Sequence, residues 1–353
     1  MPRLLDTLGL RLPIIQGPMT GSDTPALAAA VSAGGGLGSL GCGMRSPQAM
    51  REAAAAVRAA TDQPFAINLF VQPTPTPAPE AALVAAAMQR LAPLYAKFDA
   101  EPARPAQWCE DFATQLDVLV ELRPAVASFT FGILTAGQVQ RLHDAGCAVI
   151  GTATTVQEAL AWEAVGADAV CASGSEAGGH RGTFLADYAS SMVPTLPLVR
   201  DCVRRLSVPV IAAGGIMDGA GIAAALALGA QAVQMGTAFL VCPEAGIPAA
   251  YRAALAGAQA TDTRTTRTIS GRPARGIVNA MMEALTPDEA AIPPYPIQNA
   301  LTGPLRRLAA QRGDAQYLSL WAGQGVAQAR PMPAGELLAL LAQELSKSVA
   351  ACA

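Results

Sequence analysis

Charged and aromatic residues are scarce in this chain of 353 residues. Asp, Glu, Lys and Arg together make up 14% of the residues and Phe, Trp and Tyr 5%, whereas hydrophobic residues make up 52%. The formal net charge of −3 gives nucleic acid no general electrostatic attraction. We therefore expect a large, alanine-rich core and small-molecule partners, with no nucleic acid among them.

Paired cysteines are also lacking. The chain has seven cysteines, and none of them forms a Cys-x-x-Cys pair: Cys42, Cys109, Cys147, Cys171, Cys202, Cys242 and Cys352. An odd number at scattered positions argues against a disulfide framework and against a structural zinc site. We expect buried, reduced thiols and no bound metal.

Long apolar segments are absent from the N-terminus, so a secretory signal is not expected there. The segment 219–242 has no charged residue, but it carries Gln231 and Gln234 and is interrupted by Gly229 and Gly236. A helix followed by a strand explains this segment better than a membrane span. We expect a cytoplasmic protein with no membrane contact.

Short apolar runs alternate with helical patterns along most of the chain. The runs predict strands at 13–16, 36–40, 64–70, 125–131, 148–152, 167–172, 208–213 and 230–236. Helices are predicted between most of them, for example at 24–33, where Thr24 can cap the helix and Pro25 suits its first turn. Eight strands alternating with helices predict an α/β fold, a (β/α)8 TIM barrel.

Two regions fall outside this repeat. Residues 71–124 form a helical insertion that begins with a proline-rich connection at 73–77, and residues 243–330 follow the eighth strand. Long excursions above a barrel are commonly lids or binding loops. We predict a barrel at 1–242, a smaller, mainly helical, substrate-covering subdomain at 243–330, and a C-terminal helix at 331–353.

Glycine pairs follow the sixth and seventh predicted strands. The stretch 176–183 reads Glu-Ala-Gly-Gly-His-Arg-Gly-Thr and holds His180, one of two histidines; Gly214 and Gly215 follow the seventh strand. The eighth strand ends at Gln234–Met235–Gly236–Thr237. A lone glycine pair or histidine is often only a surface turn, but bare backbone amides at the last two strands of a barrel suit a phosphate. Together these motifs predict an active site.

The motifs resemble, in the same order, those of the nitronate monooxygenase family, formerly called 2-nitropropane dioxygenases. The resemblance covers nearly the whole chain. It is carried by the 176–183 stretch and by the segments 16–19 (Gln-Gly-Pro-Met), 68–70 (Asn-Leu-Phe), 212–216 (Ala-Ala-Gly-Gly-Ile), 234–237 (Gln-Met-Gly-Thr), 270–272 (Ser-Gly-Arg) and 321–325 (Trp-Ala-Gly-Gln-Gly).

This resemblance implies an FMN cofactor and no metal. The implied cofactor contacts are Gly17, Pro18, Met19, Asn68, Ser173, Gly178, Gly179, Gly214, Gly215, Gln234, Gly236 and Thr237. His180 is implied as the catalytic residue, and Tyr295 and Asn299 as substrate-binding residues. From its residue type alone, Met19 could equally be core filler.

The implied reaction is FMN-dependent oxidation of alkyl nitronates by O2, giving a carbonyl compound and nitrite, with propionate 3-nitronate as one candidate substrate. The flavin carries the redox step and the protein positions the substrate. A protonated His180 would bind the anionic nitro group, and a neutral one would remove the α-proton of a nitroalkane. We expect anion binding as its first role. A monomer or homodimer is expected.

Three positions depart from the bacterial class. Close members carry glutamine where this chain has Ser173, and a second tyrosine and a lysine where it has Asn299 and Gly303. Those positions line the substrate pocket in that class, so the natural nitronate stays open. Arginines at 264, 267, 272 and 275 form either a solvated face or a surface toward an anionic substrate.

Two other functions stay open. One is an NAD(P)H-dependent flavin reductase on the same scaffold, a quinone reductase or an enoyl reductase; no Gly-x-Gly-x-x-Gly fingerprint follows an early strand, but a barrel flavoenzyme can use NADH without one. The other is a barrel that keeps FMN as a ligand and acts as a sensor.

Overall fold

A computed structural model describes residues 4–73 and 78–352, so positions 74–77 of the predicted proline-rich connection, and the side chain of Cys352, lie outside the described residues. Eight parallel strands form the barrel: β1 (Ile14–Gln16), β2 (Gly38–Gly41), β3 (Phe65–Phe70), β4 (Val126–Thr130), β5 (Ala148–Ala153), β6 (Ala169–Ser173), β8 (Val210–Ala213) and β9 (Ala232–Met235). The two-residue strand β7 (Gly179–His180) lies between β6 and β8 in the chain and belongs to another sheet. The predicted eight-stranded TIM barrel is confirmed.

Two backbone hydrogen bonds of Leu37 close the barrel between β1 and β2. The sheet order is β1-β9-β8-β6-β5-β4-β3-β2, which leaves β1 and β2 at its two ends. The Leu37 amide donates to Ile14 O at 3.0 Å, and the Gln16 amide donates to Leu37 O at 2.9 Å. The carboxyl ends of all eight strands therefore point to the same side, where the βα loops meet.

The helices begin and end where the sequence supplies capping residues. They are α1 (Leu4–Leu8), α2 (Pro25–Ala33), α3 (Pro47–Ala60), α4 (Ala81–Ala96), α5 (Phe112–Leu122), α6 (Ala136–Asp144), α7 (Val156–Ala164), α8 (Thr195–Arg205), α9 (Gly219–Ala227), α10 (Thr237–Leu240), α11 (Ala249–Gly257), α12 (Ala280–Leu285), α13 (Ile297–Arg312) and α14 (Ala334–Cys352). Thr24 Oγ1 accepts from the Leu27 amide at 3.0 Å, as its predicted capping role requires. Among the described residues, no helix has both the length and the apolar character needed to cross a membrane.

Two hydrophobic cores lie outside the barrel's own interior. The larger one packs the barrel helices, α5 included, against the outside of the strands. The second core joins α4, α11, α12 and α13, with Leu91, Tyr251 and Leu305 at its centre. Because α4 packs in the second core and α5 on the barrel, we propose that the predicted insertion at 71–124 is divided between the two.

A small sheet links the barrel to the second core, and the sequence did not predict it. Strands β10 (Thr263–Thr266) and β11 (Ala274–Ile277) pair antiparallel, and β7 pairs with β11 so that His180 lies opposite Ala274. The loop after β6 therefore becomes an edge strand of a sheet whose other strands belong to the covering segment. This pairing fixes the backbone of His180.

Five cysteines among the described residues are buried, as expected, whereas Cys109 is half-buried. Burial raises the pKa of Cys42, Cys171, Cys202 and Cys242 to about 12, and that of Cys147 to about 11. A thiol in that state is a poor nucleophile and a poor metal ligand. Within residues 4–73 and 78–352, no group of three or more His, Cys, Asp or Glu residues could hold a metal ion.

Close packing of α2 on β2 requires glycine at position 38. A Cβ atom on Gly38 would lie 1.9 Å from Ala28 O, a contact that only a backbone shift can relieve. We expect Gly38→Ala to lower the free energy of unfolding by about 1–3 kcal/mol, the usual cost of overpacking a core. Urea denaturation of the variant and the wild-type protein measures this difference in unfolding free energy.

The matched control is Gly137→Ala on the exposed face of α6, where an added Cβ meets nothing within 4 Å. Its unfolding free energy should be unchanged or slightly higher, since alanine favours a helix over glycine. Equal stabilities of the two variants would contradict the close packing.

Candidate active site

A cavity of about 360 Å³ lies at the carboxyl ends of the barrel strands. Its floor comes from strand ends such as Asn68, Thr152 and Ser173, and its cover from second-core residues such as Tyr251. Every residue predicted for the site lines this cavity except Tyr295, whose ring centroid lies 6.0 Å from that of His180. The structure therefore brings the predicted residues together, and their individual roles stay predictions.

Glycines give this cavity its shape. Gly214 and Gly215 have φ values of +116° and +72°, which side-chain-bearing residues rarely adopt, and a Cβ on Gly214 would lie 2.8 Å from Thr195 Oγ1. A Cβ on Gly178 would lie 2.4 Å from the Gly323 amide nitrogen. The motif at 321–325 is thus needed for close packing against the histidine loop.

The same features fit a phosphate-bearing cofactor such as FMN. The glycine pair after β8 and the Gly236–Thr237 step after β9 present backbone at two neighbouring strand ends, where barrels commonly bind phosphate. The cavity volume lies within the roughly 300–1,000 Å³ of pockets for small molecules and cofactors. Its lining is rich in glycine, methionine and aromatic residues, which suits a flat ring system.

A buried carboxylate that sequence reasoning missed shapes the floor. Asp23 Oδ2 accepts from the amides of Met19 and Gly41, each at 2.7 Å, and its other oxygen pairs with Arg45 at 3.0 Å. Burial raises the pKa of Asp23 against the lowering effect of these hydrogen bonds. Asp23 thereby ties the Gly17–Met19 turn to the end of β2.

His180 is held through one ring nitrogen. Its Nε2 lies 2.9 Å from Ser270 Oγ, and the Ser270 hydroxyl donates to Arg272 O at 3.0 Å. With that hydroxyl hydrogen directed to Arg272 O, Ser270 accepts from His180, which favours the tautomer whose proton is on Nε2. Nδ1 is left as the acceptor nitrogen of the neutral ring.

The surroundings of His180 keep its ring uncharged. Burial, followed by the charges of Arg272 and Arg306, lowers the pKa of His180 to about 3. The imidazole is therefore neutral throughout the physiological pH range. A neutral imidazole suits proton removal better than the anion binding that the sequence analysis expected first, and the role of His180 stays a prediction.

Aromatic rings enclose the imidazole. The ring centroid of His180 lies 5.2 Å from that of Phe131 and 5.5 Å from that of Trp321, with Phe70 and Tyr295 slightly further away. Phe131 has a φ of +79°, an outlier for a bulky residue, and the Arg272 guanidinium stacks 4.2 Å from its ring centroid. Sequence reasoning missed Phe131, because nothing in the chain signals its backbone conformation.

A buried carboxylate anchors the chain just after His180. The Glu158 carboxylate, on α7, accepts from the hydroxyls of Thr154 and Thr183. It also accepts from three backbone amides, those of Thr154, Phe184 and Leu185. Burial alone would raise the pKa of Glu158, but these hydrogen bonds together lower it. Glu158 therefore holds the far end of the histidine loop in its ionised form.

The predicted arginine cluster does not line the cavity. Arg264 pairs with Glu283, Arg267 donates to Ile292 O, and Arg275 donates to Ser175 O. Arg272 acts indirectly, as it covers Phe131 and stands near His180. The guanidinium that does line the cavity is that of Arg306 on α13, which no motif indicated.

A TIM barrel with a cavity at its strand ends and a titratable side chain inside it has the architecture of an enzyme. The family model for nitronate monooxygenase matches residues 1–344. A nitronate monooxygenase of Pseudomonas aeruginosa is 48% identical to this chain over 349 residues, which cover 97% of this chain and 99% of that protein. The chain belongs to the nitronate monooxygenase family.

Solved structures agree with this assignment. The nitroalkane oxidase from Streptomyces ansochromogenes has a TM-score of 0.91 and 40% identity, and the match covers 99% of this chain and 100% of that one. FabK from Thermotoga maritima has a TM-score of 0.78 and 30% identity, with 99% and 97% covered. The fold of this chain is therefore similar over nearly its whole length to both solved structures.

Glu158 supports a prediction on stability. We expect Glu158→Gln to lower the free energy of unfolding near neutral pH by about 1–3 kcal/mol, because the amide cannot accept from all of these buried donors. Since the folded-state pKa of Glu158 is lowered, this stabilisation is complete above its ordinary pKa of 4.5 and is lost as pH falls through the folded pKa.

Urea denaturation of both proteins between pH 7 and pH 3.5 measures the difference, which should narrow below pH 4.5. Glu80→Gln is the control, because Glu80 is exposed and makes no capping hydrogen bond. A gap that stays constant over the whole range would contradict an ionised Glu158.

Proposed function

We propose that this enzyme oxidises alkyl nitronates with bound FMN and O2, giving a carbonyl compound and nitrite. The observation that carries the proposal is one cavity that combines a glycine-lined end after β8 and β9, suited to phosphate, with a neutral, oriented histidine in the loop after the neighbouring strand β6. The family and the nitroalkane oxidase likeness support the substrate class.

The residues that would hold FMN divide by position. Gly214, Gly215, Gly236 and Thr237 would bind its phosphate, and Gly17 to Met19 with Asn68 would line its ring. When bound, FMN supplies the electron transfer that a nitronate carbanion needs. The protein's own work is then to orient the substrate over the ring and to exclude water.

His180 would act through Nδ1. With Nε2–H donated to Ser270, the Nδ1 lone pair is available to take the α-proton of a neutral nitroalkane, which turns it into the nitronate. A nitronate that arrives already ionised does not need this step. For that substrate, His180 would only lie beside the nitro group. Ser270 would be a positioning residue that fixes the tautomer of the imidazole ring.

His180→Asn separates these two uses. We expect the variant to keep its flavin spectrum but to lose turnover of neutral nitroethane by about 10²–10⁴-fold, the usual contribution of a general base. Turnover of ethylnitronate should fall by a smaller factor. Oxygen uptake and nitrite release measure both reactions.

His143→Asn is the matched control, since His143 lies on α6 and pairs with Asp168 at 2.8 Å without lining the cavity. Equal losses for the two substrates in His180→Asn would refute proton removal by His180. Anaerobic bleaching of the flavin by NADH faster than by ethylnitronate would favour an NAD(P)H-dependent reductase instead.

A further inference from the structure

Glu176, the first residue of the 176–183 stretch, does not line the cavity but holds a neighbouring helix. Its carboxylate accepts from the Thr195 amide at 2.9 Å and from the Thr195 hydroxyl at 2.8 Å. Thr195 begins α8, and Pro194, the residue before it, makes no side-chain capping hydrogen bond. A carboxylate suits this place, because a helix N-terminus presents free amides and a partial positive charge. Glu176 therefore caps α8 from a different segment of the chain.

Thr195 also contacts the glycine pair after β8. Its Oγ1 lies 3.1 Å from Gly214 O. A Cβ on Gly214 would lie 2.8 Å from the same Oγ1, and a Cβ on Gly215 would lie 3.3 Å from the Glu176 Cβ. Glu176 and Thr195 thus pack directly against the two glycines that we propose bind the FMN phosphate.

The main chain of Glu176 reaches the other part of the proposed phosphate site. Its carbonyl oxygen accepts from the Gln324 amide at 3.0 Å. The adjacent Gly323 amide donates to Thr237 Oγ1 at 2.9 Å, and Thr237 begins α10 directly after β9. Glu176 is therefore joined by its side chain to the backbone after β8 and by its main chain, through residues 323–324, to the residue after β9.

Two guanidinium groups offset part of the charge of Glu176. Burial lowers the pKa values of Arg181 and Arg275, and the charge of Glu176 is one of those that oppose this effect at both residues. A carboxylate near a phosphate site would otherwise repel the phosphate. With these cations nearby, and with its oxygens bonded to Thr195 outside the cavity, Glu176 is able to shape the site without opposing an anionic ligand.

We propose that Glu176 is a positioning residue for the FMN phosphate, holding the glycine pair after β8 and Thr237 after β9 in the arrangement that binds it. This inference rests on the FMN of the proposed function. Loss of the carboxylate should weaken the contacts of the phosphate, whereas the contacts of the flavin ring, which come from the ends of β1 and β3, should remain. A carboxylate that only stabilised α8 would affect both parts of the cofactor alike.

Riboflavin, which lacks the phosphate of FMN, separates the two parts. The flavin-free, full-length protein is titrated with FMN and with riboflavin, as wild type, Glu176→Ala and Glu176→Gln. In Glu176→Ala we expect Kd for FMN to rise by about 10–100-fold, the usual loss of a buried charge-assisted hydrogen bond, and Kd for riboflavin by less than about threefold. Glu176→Gln should retain most of the affinity for FMN, because its amide group can accept from the Thr195 amide and donate to the Thr195 hydroxyl.

Glu163→Ala is the matched control. Glu163 on α7 also accepts from backbone amides of a distant segment, those of Ser207 and Val208, but these precede β8 at the opposite end of the barrel. Neither Kd should change in this variant.

Thr195→Ala is a second test, which keeps the carboxylate and removes the hydroxyl that contacts Gly214 O. It should also raise Kd for FMN and not for riboflavin, even where Glu176→Ala fails to fold. Equal rises for the two flavins, or an unchanged Kd for FMN, would overturn the positioning role. Wild-type protein that prefers FMN to riboflavin but oxidises no nitronate would instead refute the proposed function and leave the role of Glu176 in place.

Discussion

The antiparallel pairing of β7 with β11 is the contact on which the site depends. It sets His180 opposite Ala274, and the turn leading into β11 supplies Ser270, which accepts from the imidazole. One covering segment thus fixes both the backbone and the ring of a residue that the barrel provides. Enclosure by that segment also removes water from the imidazole and lowers its pKa. Without this pairing, His180 would lie in a loop and its pKa would be that of an ordinary histidine.

The barrel could be predicted from the sequence because its signals are local. Each strand is a short apolar run, and the observed bounds differ from the predicted ones by only a residue or two. Thr24 caps α2 as expected, and Gly146 and Gly166 have the positive φ values, +83° and +97°, of glycines that end helices. The glycine pairs lie together because strands of one barrel end at the same side.

The remaining features depend on contacts between segments far apart in the chain. Strand β10 reads Thr-Arg-Thr-Thr and β7 has two residues, so neither carries an apolar pattern. Arg306 looks like an ordinary helix-surface arginine until α13 folds over the cavity. The charge state of His180 depends on such contacts too, since burial and two arginines distant in the sequence lower its pKa. The α4 helix joins the second core although its chain neighbours surround the barrel.

The central claim is that His180 is a neutral base whose proton is on Nε2. Nitrogen NMR of protein labelled at its two histidines tests it directly, with His143→Asn used to assign the signals. The account predicts that His180 keeps one protonated and one unprotonated nitrogen, the former being Nε2, from pH 8 down to pH 5. Protonation of both nitrogens at pH 5 or above, or a proton on Nδ1, would contradict it.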